Sequence, residues 1–163
     1  MTNKILTKIH TPGTHNSLQE FRSDGEKETA SIAHKFAENL GAGDVVAFYG
    51  ELGTGKTFFI RHLCQALGVA EQVNSPSFTL INEYKSRSDL FVFHFDFYRL
   101  EHQEELTNLG VLDYFYGEGI CLIEWADKIY NYLPSDRYEI FLEFKGRDPN
   151  TRFIRITKKK KIS

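Results

Sequence analysis

The residues with the clearest chemistry in this chain are a lysine and a threonine set behind two glycines at fixed spacing. Gly50-Glu51-Leu52-Gly53-Thr54-Gly55-Lys56-Thr57 fits the phosphate-loop pattern G-x-x-x-x-G-K-[ST]. Glycines let the backbone fold tightly, so that successive N–H groups point inward at a phosphate. The N-terminus of a following helix adds partial positive charge. In such a loop Lys56 bridges the β- and γ-phosphates, and the Thr57 hydroxyl completes the coordination of Mg²⁺. The run Val45–Tyr49 predicts the strand that must lead into the loop, and apolar spacing predicts a helix over 56–67 that leaves it.

A phosphate loop binds nucleotide without necessarily cleaving it, so carboxylates are needed nearby. Ile120-Cys121-Leu122-Ile123-Glu124 is a buried-type strand ending in an acid, placed to hold Mg²⁺ through water or to polarise an attacking water. Asp96 lies in His94-Phe95-Asp96-Phe97-Tyr98-Arg99, where alternation puts His94, Asp96 and Tyr98 on one face and the phenylalanines on the other. A charged group in so aromatic a strand is costly unless paired or metal-bound. Asp96 is therefore a second candidate for the metal shell or the general base, against an ion pair with Arg99. His94 by itself reads as a structural histidine. Ser75, Ser77 and Thr79 offer hydroxyls where phosphate-loop proteins often carry a switch segment. Trp125 is either core packing or a cover over the site. The absence of an N-K-x-D sequence favours ATP over GTP.

The elements that position these residues alternate between helix and strand. A helix beginning in Ser23–Thr29 carries Ile32, Ala33, Phe36, Ala37 and Leu40 at helical spacing and stops at Gly41-Ala42-Gly43. Strands are expected over 78–84 and 90–97, joined by a polar turn, then a helix over 102–109 and a short helix or turn to Tyr116. A last strand pair, 138–144 and 152–157, turns at 146–150. The fold class is α/β: one P-loop NTPase domain with a mostly parallel central sheet, antiparallel edge hairpins and flanking helices. Residues 1–22 read as a lead-in with a short strand or loose structure, 23–157 as the domain, and 158–163 as a basic tail. That tail is a solvated end or an electrostatic foothold on RNA.

Composition sets limits on function. The 163 residues are 41% hydrophobic and 26% charged, as in a globular chain able to bury a core. A net charge of −2 argues against a broadly basic surface for DNA or RNA. No apolar run approaches the roughly 20 residues of a membrane span, and no secretory pattern opens the chain. Cys64 and Cys121, far apart, read as buried reduced thiols of a cytoplasmic protein.

Taken in order, several stretches resemble one family, the TsaE ATPases of bacterial tRNA threonylcarbamoyladenosine biosynthesis. They are the loop at 50–57, Ser75-Pro76-Ser77-Phe78-Thr79-Leu80, Glu83-Tyr84 and His94-Phe95-Asp96-Phe97-Tyr98-Arg99-Leu100. Glu104-Glu105-Leu106, Leu109-Gly110 and Glu124-Trp125 complete the match, which covers about residues 26–155. The resemblance implies a cytoplasmic ATPase, weak alone, that works with TsaB and TsaD and meets tRNA through that complex. Its hydrolysis of ATP resets the partners, which install threonylcarbamoyl on adenosine 37. It further implies that Lys56 and Thr57 hold phosphate and Mg²⁺, that Glu124 holds Mg²⁺, and that Asp96 is catalytic. Glu51, Leu52, Gly53, Thr54, Gly55 and Trp125 would border the nucleotide, with the segment around Glu26 and Thr29 near its base and the turn near Gly146-Arg147 contributing on the other side. Glu51 stands where the family usually has Asp, and Ser77 where it usually has Thr. The lead-in and the lysine run are not part of the pattern. Two other readings of the loop are a small-molecule or nucleotide kinase, and a nucleotide switch that never hydrolyses.

Overall fold

A computed structural model describes residues 5–10 and 17–160, with side chains from residue 18 onward. Its elements begin with strands β1 (Ile5–His10) and β2 (Ser17–Ser23), helix α1 (Glu26–Ala37), strand β3 (Val45–Tyr49) and helix α2 (Lys56–Ala66). Strands β4 (Ile81–Lys85) and β5 (Phe91–Asp96) follow, then short helices α3 (Glu104–Asn108) and α4 (Val111–Phe115) and strand β6 (Ile120–Glu124). A 3₁₀ segment, Ala126–Tyr132, leads to strands β7 (Arg137–Phe144) and β8 (Arg152–Lys159).

The described strands form one sheet in the order β1-β2-β8-β7-β3-β6-β5-β4. Its middle, β7-β3-β6-β5, is parallel, while β4 on one edge and β8, β2 and β1 on the other are antiparallel. β3 and β6 are near-continuous apolar runs because both their faces are covered. On one face α1 and α2 pack through Ile32, Phe36, Phe59, Ile60 and Leu63. On the other, Leu106, Val111, Phe115 and Ile129 close over Ala47, Phe95 and Ile123. This sandwich fixes the C-terminal ends of β3, β5 and β6 side by side, where ligands meet such sheets.

Helix ends follow from local chemistry. At the start of α1 the Asp24 N–H donates to the Glu28 carboxylate at 2.8 Å, and Glu26 and Glu28 lie in its first turn. At the end of α2, Val69 N–H donates to Cys64 and Gly68 N–H to Gln65. With Gly68 at φ +85°, this is a glycine C-cap.

Two expectations change, and a third is decided between its alternatives. The strand expected over 78–84 begins only at Ile81, because 76–80 turn back on themselves: Leu80 N–H donates to Pro76, and Leu80 has φ +63°. That turn leaves Phe78 87% exposed. The lead-in is sheet where it is described, with β2 paired along its length to β8; Pro12, Gly13 and Asn16 lie outside the described residues. The lysine run is not all tail. Lys158 and Lys159 belong to β8, and their ammonium groups meet Asp44 at 3.1 Å and Glu139 at 3.0 Å. Lys161 lies outside the described residues.

Candidate nucleotide site

The loop between β3 and α2 has the backbone that its glycines foretell. Gly53 and Gly55 sit at φ +81° and +101°, a region costly for residues with a Cβ. Lys56, the first residue of α2, is almost wholly buried, and its Nζ donates to the carbonyls of Gly50 at 2.6 Å and Glu51 at 2.9 Å. The same ammonium stands 4.1 Å from the centre of the Trp125 ring. Burial lowers the Lys56 pKa from its ordinary value, opposed by the charges of Glu124, Asp96 and Asp127.

Two strands bring the acids to this lysine. Asp96 and Glu124 close β5 and β6 as register partners on adjacent parallel strands. The Thr57 hydroxyl donates to Glu124 Oε1 at 2.8 Å and lies 3.0 Å from Oε2. His94, fully buried, places Nε2 at 2.8 Å from Glu124 Oε1. Asp96 accepts from the Ser75 hydroxyl and, at 2.9 Å, from the Tyr98 N–H. Ser77 Oγ is 3.2 Å from Ser75 Oγ, so the turn after α2 is tied to Asp96 through hydroxyls. The ion pair of Asp96 with Arg99 does not form: Arg99 instead lies over the exposed Phe78 ring at 4.7 Å.

These groups surround a cavity of about 460 Å³ whose wall includes Leu52, Gly53, Gly55, Lys56, Thr57, Ser75, Ser77, Asp96, Arg99, Glu124 and Trp125. Trp125 is half-buried, with Tyr98 packed at 4.9 Å, so it is a wall of the cavity and only partly core. A second cavity of about 260 Å³ lies on the α1 side of the loop and is bordered by Glu26, Thr29, Gly53, Thr54, Gly55, Phe58, Asn150 and Arg152. Thr29 is buried there, its hydroxyl 2.7 Å from that of Ser23. Glu51 projects outward and contributes its carbonyl. Thr79 is exposed and bonds Asn82 rather than the site. Arg147 is also exposed, on the turn between β7 and β8, and borders neither cavity.

The arginine that does reach the loop is Arg152. Its Nε donates to the Thr54 carbonyl at 2.9 Å, and its guanidinium lies over the Phe144 ring at 4.1 Å. Nothing local in the sequence marks it, since its partner is 98 positions away. A second unforeseen support runs from Tyr49, the residue before the loop, whose hydroxyl donates to Glu139 at 3.3 Å. Glu139 is held in turn by the Arg137 guanidinium at 2.7 Å. Burial, and then the Glu139 charge, raise the Tyr49 pKa above its ordinary value, keeping that hydroxyl a donor.

The arrangement offers a buried cation at the glycine-rich loop, with a hydroxyl and a carboxylate as hard oxygen donors and a second carboxylate alongside. The model of the family described as "Threonylcarbamoyl adenosine biosynthesis protein TsaE" matches residues 23–154. The chain belongs to the TsaE family. A Bacillus subtilis protein named tRNA threonylcarbamoyladenosine biosynthesis protein TsaE is 40% identical over 129 residues, 79% of this chain and 80% of its own length. The Haemophilus influenzae protein of the same name is 37% identical over 143 residues, covering 85% of this chain and 89% of its own length. Among solved structures, the crystal structure of Bacillus subtilis YdiB superposes with a TM-score of 0.75 at 33% identity, over 91% of this chain and 90% of that one. The TsaE-family match spans both cavities, from Glu26 to Arg152.

Proposed function

We propose that this chain binds ATP with Mg²⁺ at the phosphate loop and hydrolyses it to ADP and phosphate. In this reading it is the ATPase of the cytoplasmic machinery that makes tRNA threonylcarbamoyladenosine at position 37, acting with TsaB and TsaD to support repeated turnover. The observation that carries the reading is the convergence, in a TsaE-family chain, of Thr57 and Glu124 at the mouth of the loop with Asp96 on the next strand. The relatives' names supply the pathway.

The donors fit the ion. Mg²⁺ is usually held by one or two protein oxygens together with substrate phosphates and waters, and the Thr57 hydroxyl and Glu124 carboxylate stand within 3.0 Å of each other. When bound, the ion neutralises charge that develops on the phosphate oxygens. Lys56 binds the β- and γ-phosphates, exchanging its carbonyl contacts to Gly50 and Glu51 for anionic ones. The loop N–H groups orient the phosphates, and the dipole of α2 adds to them. Asp96, held by Ser75 and Tyr98, orients the attacking water and takes up its proton. Trp125 and Tyr98 form an aromatic wall that limits water at the reacting end. Glu26 and Thr29 border the nucleoside end, and Arg152 lines the same cavity. With a net charge of −2, the chain reaches tRNA through its partners rather than by its own surface field.

A kinase on the same fold needs an acceptor pocket and usually an arginine-bearing lid. The candidate lid is a short connection between the paired strands β7 and β8, and its neighbour Arg152 is bonded to the loop. The test is threonylcarbamoyl formation on tRNA by TsaB and TsaD with and without this chain. Repeated turnover that needs the chain and consumes ATP supports the reading; turnover indifferent to the chain refutes its place in the machinery.

A further inference from the structure

His94 is wholly buried in β5, yet among the described residues its one polar contact is a side chain and not backbone. Its Nε2 lies 2.8 Å from Glu124 Oε1, on the adjacent strand β6. A carboxylate oxygen facing a ring nitrogen accepts, so Nε2 carries the proton. Among the described residues Nδ1 finds no partner at all. An unpaired buried polar atom is an energetic cost that a leucine of similar size would not incur. The fold tolerates that cost for a single hydrogen bond, made to the carboxylate that faces Thr57. Oε1 is shared by His94 and Thr57, while Oε2 has Thr57 as its only partner among the described residues.

We propose that His94 is a positioning residue for metal loading, its Nε2–H fixing Glu124 Oε1 so that the carboxylate stands beside Thr57 in the orientation that binds Mg²⁺. The inference rests on the nucleotide reading above and deepens it. Two side chains set the carboxylate: Thr57 comes from the helix that leaves the phosphate loop, and His94 from the strand that ends in Asp96. A glutamate held only by Thr57 would be free to rotate about its own side-chain bonds. Groups that orient a ligating carboxylate commonly change metal affinity by about 10- to 100-fold when removed, without touching the metal themselves.

Trp125, the only tryptophan in the chain, stands next to Glu124 in sequence and against Lys56 in space, and gives a readout that does not depend on turnover. The experiment titrates Mg²⁺ into the full chain at saturating ATP while following Trp125 fluorescence, for wild type, His94→Leu and His94→Gln. The glutamine amide nitrogen occupies the topological place of Nε2 and keeps the donor; leucine fills space without it. The half-saturating Mg²⁺ concentration is expected to rise about 10-fold or more in His94→Leu. Nucleotide binding in EDTA should stay as in wild type, and His94→Gln should recover most of the loss. A wild-type Mg²⁺ response in His94→Leu overturns the inference, as does a His94→Gln variant no better than His94→Leu. If wild type itself gives no Mg²⁺-dependent response to ATP, the nucleotide reading falls first and this inference with it. Should His94→Leu fail to fold, the imidazole Nε2–H signal of ¹⁵N-labelled wild type decides. A slowly exchanging signal that moves in Glu124→Ala supports the contact, and one indifferent to that change overturns it.

Discussion

Replacing Gly50 by alanine asks how closely the phosphate loop must be seated on the sheet. A Cβ there would lie 2.4 Å from the Leu142 carbonyl oxygen and 2.7 Å from Thr54 Oγ1, where real contacts essentially never fall below 3.0 Å. Leu142 is in the interior of β7, paired with Ile154 of β8, so its carbonyl cannot retreat without opening the sheet. The loop must move instead, by at least the missing 0.6 Å. Gly50 also has φ +148°, outside the regions open to alanine, which costs about 1–3 kcal/mol. In a chain of this size 1 kcal/mol lowers Tm by about 2–4 °C, so the backbone cost alone should take about 2–12 °C from Gly50→Ala, and the clash adds to that. The same movement shifts the Gly50 carbonyl that holds Lys56, and misplacements near 1 Å cost about 100-fold in turnover. Gly53→Ala is the control: with φ +81° and open space around its Cβ, it bears only the backbone cost. Thermal unfolding with and without MgATP, beside Trp125 titrations, measures both effects. A Gly50→Ala variant with the stability and nucleotide affinity of Gly53→Ala would refute the close approach.

Four further outcomes are expected. Lys56→Ala should abolish productive ATP binding, because the phosphates lose the buried cation; equilibrium titration with MgATP checks this. Asp96→Asn should keep the Tyr98 contact and bind nucleotide while slowing hydrolysis by about 100-fold or more, as seen by single-turnover ADP formation. Arg152→Ala removes the bond to Thr54 O and one wall of the cavity on the α1 side of the loop, so ATP affinity should fall by about 10-fold while Arg147→Ala changes little; paired titrations compare them. Burial pushes the Cys64 and Cys121 thiols from near 9 up to about 12, so above pH 9 the unfolded chain releases protons that the folded chain keeps. Stability should then fall with rising pH, by up to about 1.4 kcal/mol per pH unit for each thiol, in denaturant titrations between pH 9 and 10.

The parts of the site that were legible in the sequence are those fixed by short-range geometry. The loop is a local motif, and its glycine conformations follow from it. Glu124 was visible as the acid that ends a buried strand, and Asp96 as a charge too costly for its aromatic surroundings without a task. What escaped depends on residues far apart in the chain. Arg152 meets Thr54 only because β8 crosses back beside the loop, and no spacing rule spans that distance. The lysines at 158 and 159 have the look of a solvated tail because their counter-charges, Asp44 and Glu139, lie far away in the chain. The segment 78–80 has strand-forming residues, yet the Leu80 turn outweighs that preference and accompanies the Ser75 contact to Asp96. His94 carries no local sign of a role beyond packing, because its partner is brought to it by parallel pairing of β5 with β6. The α/β class and the parallel centre were evident from the alternation of elements, whereas the order of the antiparallel edges was not.

The most direct test of the account is single-turnover ATP hydrolysis by this chain with Mg²⁺, TsaB and TsaD, comparing wild type with Glu124→Ala. Wild type is expected to convert bound ATP to ADP and phosphate, faster with the partners than alone, while Glu124→Ala retains bound ATP unhydrolysed. Normal ADP formation by Glu124→Ala would remove that carboxylate from the chemistry. No ADP formation by wild type in the complete mixture would leave a nucleotide-binding protein and contradict the proposed ATPase.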